Sequence, residues 1–152
     1  MKRKAKSETA KLIQELTKLS HDFIRQRDSA EKDFIGGKCF DCGIIVCGQQ
    51  FQAGHWIPDS VGGALLRYHP WNMHGQSGGC NMKYSQERVK IDYTFKMIEK
   101  YGDEKVQQLR QMKHKSIKAD SIFYTRMIEL YKEGNEGNIV KYLENLYKST
   151  LL

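Results

Sequence analysis

The stretches "FQAGHWIPDSVGG" (residues 51–63) and "PWNMHGQSGGCN" (residues 70–81) decide the fold. The first is a short apolar run ending in His55 and broken at Pro58 and at Gly62-Gly63. The second crowds Asn72, His74, Cys80 and Asn81 into twelve positions. Short apolar runs bounded by glycine and proline favour strands over helices. The resulting order is a strand ending in histidine, a loop, a second strand bearing asparagine, and a helix opening on Cys80-Asn81. This is a ββα arrangement.

Just upstream, "CFDCG" (residues 39–43) is a C-x-x-C-G knuckle. Its spacing lets two thiolates converge on a tetrahedral ion at about 2.3 Å, with the glycine allowing the tight turn. A redox pair or two buried thiols share the same spacing. The matching downstream element reads Ser77-x-x-Cys80, with serine where a first thiolate belongs. A serine hydroxyl stays protonated and hard, and so is a poor zinc ligand. Strand geometry carries Cys47 roughly 16 Å from Cys42, which makes it a structural or incidental thiol. The expected zinc set is therefore Cys39, Cys42 and Cys80, with the fourth ligand unresolved. No export signal accompanies the four cysteines, which argues for thiols or metal over disulfides.

Outward from this centre the periodicity turns helical. Residues 7–34 read as one helix capped by Ser7, with Leu12, Ile13, Leu16, Leu19, Phe23 and Ile24 on one face and Gly36-Gly37 as its stop. Between residues 38 and 81 lie β-like runs at 44–46, 51–57 and 65–68. Helix returns from Ser85, with Val89, Tyr93, Met97 and Tyr101 in a stripe that Gly102 terminates. Three further segments follow, carrying Val106, Leu109 and Met112, then Ile122 to Tyr131, then Ile139 to Tyr147. Their Met and aromatic stripes read as inter-helix packing. The expected class is α+β: a small β-rich, zinc-knuckle ββα centre flanked by helices. Residues 1–152 form one domain, with an N-terminal helical arm (1–37), a core (38–102) and C-terminal helices (103–152).

The 152 residues are 39% hydrophobic and 28% charged, with a net charge of +7. An excess of cations favours polyanionic partners, nucleic acid first and acidic membrane second. No apolar run approaches the roughly 20 residues that span a bilayer. The chain reads as soluble and intracellular.

A neutral histidine at a strand end can take a proton from water at pH 7. An asparagine or histidine at a helix start offers a neutral ligand to a divalent cation. His55 or His74 alone would read as a satisfied sheet histidine; clustering with Asn72 and Asn81 favours function.

At "CFDCG", "QAGHWIP", "LRYHPWNMHGQ", "CNMKY" and "YTFKMIEKYG" the chain resembles the phage NinG/Rap recombination endonucleases, within the wider HNH or His-Me finger nucleases. The resemblance spans roughly residues 38–102. It implies metal-dependent cleavage of branched DNA, such as Holliday junctions or displaced-strand structures, in the cytoplasm of a bacterial host. By motif position it implies His55 as general base, Asn72 as the brace of its loop, and Asn81 as a ligand of Mg²⁺ or Mn²⁺. His74 would help bind metal or phosphate. Arg67, Lys83, Arg88 and Lys90 would position DNA phosphates without reading sequence, and a homodimer would suit cutting two strands. Two departures stand out. Gly54 occupies the place where many such nucleases carry an aspartate ligand, and Ser77 replaces a cysteine. Two other readings are a zinc-dependent DNA-binding module without catalysis and a recombination adaptor.

Overall fold

The computed structural model describes residues 7–82 and 87–152, and of residues 87–90 the backbone alone. Helix α1 (Glu8–Arg27) opens on Ser7, whose hydroxyl accepts from the Ala10 amide at 3.3 Å. It carries Glu8 in its first turn and Arg25 and Arg27 in its last, each sign opposing the local end of the helix dipole. It stops at Arg27, earlier than the expected residue 34, because the Asp28 amide closes back on Gln26 and Ile24. Gly36-Gly37, expected to end this helix, instead opens a strand.

Two small antiparallel sheets follow. In the first, β1 (Gly36–Lys38) pairs with β2 (Ile45–Cys47), Gly36 opposite Cys47. In the second, β3 (Phe51–His55) pairs with β4 (Met73–Ser77), with His55 opposite Met73 and Gly54 opposite His74. Residues directly opposite share a face. Gln52, Gly54, His74 and Gln76 thus lie on one side, and Phe51, Ala53, His55 and Met73 on the other.

The connection between β3 and β4 contains α2 (Asp59–Arg67), with Gly63 at φ 64° kinking it. Residues 65–68, expected as a strand, end this helix. Leu65 and Leu66 are both fully buried, and so short an apolar run does not disclose its period. After β4 come α3 (Gly78–Met82), α4 (Glu87–Tyr101), α5 (Asp103–Met112), α6 (Ser121–Glu133) and α7 (Glu136–Ser149). Gly102, at φ 85°, both ends α4 and caps α5. Gly134 ends α6 in the left-handed region at φ 71°.

The main core joins Leu16 of α1 to Leu65, Leu66, Tyr93, Met97, Leu109, Met127 and Leu143 of the later helices. A smaller cluster of Ile24, Ala53 and Met73 seats the β3–β4 ribbon on α1. Arg27 ties these parts together: it pairs with Asp28 at 2.7 Å and Glu136 at 3.2 Å, and donates to the Pro70 and Met73 carbonyls. Among the described residues no helix is long and apolar enough to cross a membrane.

Candidate active site and metal centre

The β1–β2 hairpin presents the knuckle. Its turn is closed by the Cys39 amide on the Ile44 carbonyl at 2.8 Å and by the Gly43 amide on the Cys39 carbonyl at 2.9 Å. This brings Cys39 and Cys42 against Cys80 of α3, with all three sulfurs within 4.8 Å of one another. Burial opposes ionisation of Cys39, but hydrogen bonds from the Cys42 and Ser77 backbone and the Ser77 hydroxyl outweigh it and hold the thiol below its ordinary value. Burial and the neighbouring Cys42 and Cys39 push the Cys80 thiol up to about 11, against a hydrogen bond from Ser77. Three thiols that resist joint ionisation are a soft set suited to a cation such as zinc. Ser77 is nearly buried beside them, its Oγ accepting from the Cys80 amide at 3.2 Å. Cys47 is exposed on β2, outside the trio.

His55 ends β3. Its Nε2 lies 2.9 Å from the Arg67 carbonyl and 3.0 Å from Asp59 Oδ1. Both partners are acceptors, so Nε2 carries the proton in the neutral ring and Nδ1 keeps the lone pair. Arg67, 39% exposed, faces the other Asp59 oxygen at 3.6 Å. The ring of His21, from α1, meets that of His55 edge-on at 5.9 Å between centroids. Burial first, then the adjacent His55, lowers the basicity of His21, against Asp59 and Asp22.

Asn72 is fully buried at the base of this arrangement. Its Oδ1 accepts from the Ile57 amide at 2.9 Å, and its Nδ2 donates to the carbonyls of Ile57 at 2.9 Å and Leu66 at 3.0 Å. The side chain therefore clasps both ends of the α2 excursion that follows His55.

His74 is placed differently from the expectation of a metal or phosphate contact. It is fully buried and stacked on Phe40 at 4.0 Å. Tyr93 gives its proton to the Gly54 carbonyl, so Nδ1 of His74 donates to the Tyr93 oxygen at 2.9 Å, and Nε2 accepts from Tyr101 at 2.7 Å. Burial holds the ring neutral well below its ordinary titration range, helped by Arg27 and Lys100. With both nitrogens engaged, His74 packs α4 onto the ribbon.

On the Gly54 side, Asn81 Nδ2 donates to Gln52 Oε1 at 2.9 Å. Gln76 Nε2 donates to Asp41 Oδ2, and Lys96 donates to the Asp41 carbonyl. Burial raises the Asp41 pKa, offset by Gln76 and Lys96. Gln76 Oε1 and Asp41 Oδ1 are buried with no hydrogen-bond partner among the described residues. A Cβ on Gly54 would stand 1.5 Å from Gln76 Oε1 and 3.0 Å from Asn81 Oδ1. Gln76 thus fills the volume a side chain at position 54 would need.

A groove of about 490 Å³ runs along the outer edge of β3, lined by Lys18, His21, Arg25, Gln52, Ala53 and Asn81, among others. It joins the His21 wall, against which His55 rests, to Asn81 near the end of α3. Of the expected phosphate contacts, Arg67 lies beside His55. Lys83 lies outside the described residues, as do the side chains of Arg88 and Lys90.

Sequence reasoning missed Asp59 and His21. Asp59 follows His55 by four residues and opens α2, a usable local signal; nothing local marks His21. No curated protein and no solved structure matches the chain. A family model described as Bacteriophage Lambda NinG protein matches residues 1–136, taking in the knuckle, the ribbon and the clasp alike. The chain belongs to the NinG family.

Proposed function

We propose that this protein is a metal-dependent DNA endonuclease of the HNH or His-Me finger type, cutting branched intermediates of phage recombination such as Holliday junctions and D-loops. The observation that carries this reading is His55 at the end of β3, paired through Nε2 with Asp59 and abutting a groove that reaches Asn81. Nδ1 of His55 accepts the proton of the attacking water as its oxygen adds to phosphorus and the 3′ oxygen leaves. Asp59 steadies the imidazolium that forms, a contribution of the kind that orients a general base. Asn72 holds the loop behind it. Lys18 and Arg25 line the groove, and together with Arg67, Lys83, Arg88 and Lys90 would hold phosphates by charge.

The donors around Gly54 are hard amide and carboxylate oxygens, which suit Mg²⁺ or Mn²⁺. Asn81 would hold such an ion, which supplies charge neutralisation at the phosphate. Zinc at Cys39, Cys42 and Cys80 would staple the knuckle to α3. A homodimer in the host cytoplasm would present two such grooves to the two strands of a junction.

The test is incubation of the purified protein with a four-way junction and a matched linear duplex, in Mg²⁺ or Mn²⁺ and then in EDTA. Metal-dependent nicking of the junction is the expected result. A mobility shift without nicking would leave a DNA-binding module, and neither outcome would leave an adaptor.

A further inference from the structure

Two amide side chains on the Gly54 side of the ribbon are each turned by their nitrogens. Gln76 gives its Nε2 to Asp41 Oδ2, so a flip would set its carbonyl against a carboxylate. Asn81 gives its Nδ2 to Gln52 Oε1 at 2.9 Å. Gln52 is itself held by the donation of its Nε2 to the Gln49 carbonyl at 3.4 Å. With both orientations set, the two carbonyl oxygens converge over Gly54, at 1.5 Å and 3.0 Å from the point where a Cβ would stand. Among the described residues no donor serves Gln76 Oε1, although the residue is fully buried. Buried acceptors are almost always met by a partner, so the unserved Gln76 oxygen, with the Asn81 oxygen converging beside it, calls for a ligand.

We infer that Gln76 is a cation ligand, its Oε1 joining Asn81 Oδ1 to hold one Mg²⁺ or Mn²⁺ beside Gly54, with Asp41 as the positioning residue behind it. This rests on the endonuclease reading for the use of the ion. The placement itself rests on the two amides.

Three features fit. Asn81 is only partly buried and lines the groove, so an ion has a way in from solvent. The Asp41 carboxylate, hydrogen-bonded to the far end of the Gln76 amide, drives electron density toward Oε1. And Gly54 carries no side chain of its own, so the ligand oxygen that another chain would place on β3 is delivered here from its partner strand β4, across the ladder. Neutral amides bind hard cations less tightly than carboxylates do, so the site is expected to be weaker than one built on a direct aspartate.

The experiment is titration of the zinc-loaded, DNA-free full chain with Mn²⁺, followed by electron paramagnetic resonance. Gln76→Met keeps length and removes the oxygen; about tenfold weaker Mn²⁺ binding is expected, with zinc content and melting temperature unchanged. The double variant Gln76→Glu with Asp41→Asn keeps the hydrogen bond and the total charge but moves the charge onto the ligand. It is expected to bind Mn²⁺ about tenfold tighter, a gain that misfolding cannot imitate. If both variants bind Mn²⁺ as the natural chain does, Gln76 Oε1 is served by water alone and the inference falls. Junction cleavage by the natural chain is scored separately. Cleavage with unchanged Mn²⁺ binding in both variants sinks only the ligand assignment. Altered binding in both without cleavage sinks only the endonuclease reading.

Discussion

Asp59 holds His55 and Arg67 through its two carboxylate oxygens, Oδ1 at 3.0 Å from His55 Nε2 and Oδ2 at 3.6 Å from Arg67 Nε. One acid thereby orients the proposed base and a cation placed to meet phosphate. His55→Ala is expected to lower junction cleavage by about 10²- to 10⁴-fold, with junction affinity nearly intact. Asp59→Asn keeps the shape but removes the charge facing the imidazolium, and should cost about tenfold or more in cleavage rate at constant affinity. Loss of affinity together with cleavage in both variants would make this pair structural.

Acid should destabilise the fold through its buried histidines. Burial pushes His69 down to about 3 and His74 well below 6.5. Both are neutral in the folded chain at pH values where the unfolded chain protonates them. The unfolded state then binds more protons, so stability is full above pH 6.5 and declines as pH falls toward the folded values. Each histidine contributes up to about 1.4 kcal/mol per pH unit in that window. Urea melts at pH 7 and pH 5 of the natural chain and of His69→Gln check this: the variant should lose less on acidification. Equal losses would remove His69 from the account.

Zinc should add to stability through Cys39, Cys42 and Cys80. A metal that binds only the folded state lends its binding energy to folding. Chelation is expected to lower the melting temperature, and Ser77→Cys to tighten zinc and raise that temperature, since Ser77 already sits against Cys39 and Cys80. Elemental analysis with melts before and after chelator decides it. Zinc-free protein with identical melts would mean the knuckle is held by its hairpin and by packing.

DNA affinity should fall linearly with salt on a log–log scale, with a slope near −0.9 per phosphate contact on duplex. Lys18 is 78% exposed on the groove wall. Lys18→Gln should reduce that slope by about one contact and weaken all sequences alike. An affinity indifferent to salt would remove the electrostatic case for DNA.

Much of the centre is legible in the sequence because its signals are local. The C-x-x-C-G turn and the strand ending in His55 each announce themselves within a few residues, whereas the helix expected to open on Cys80 opens earlier, at Gly78. The later helices follow from their apolar stripes and from Gly102 and Gly134. What escapes is tertiary. The 65–68 run is apolar on either reading, and only its burial under the later helices makes it helical. His74 carries the same residue type as His55. It becomes a core side chain because Phe40, from the knuckle turn, and Tyr93 and Tyr101, both from α4, converge on it. His21 reaches the site only because Ile24, one turn along α1, docks on Ala53 and Met73.

The Asn72 clasp has an evolutionary and engineering consequence. Because one buried amide grips the backbone at Ile57 and at Leu66, the frame of the ribbon does not depend on what the chain does in between. Closing a somewhat longer loop costs little extra entropy. The segment from Asp59 to Ala64, between the gripped points and ahead of the buried Leu65 and Leu66, is thus an exchangeable cassette. Swapping it would change which acid attends His55 while the strand presenting that histidine stays where it is, so new chemistry at this site can be sampled without renegotiating the fold.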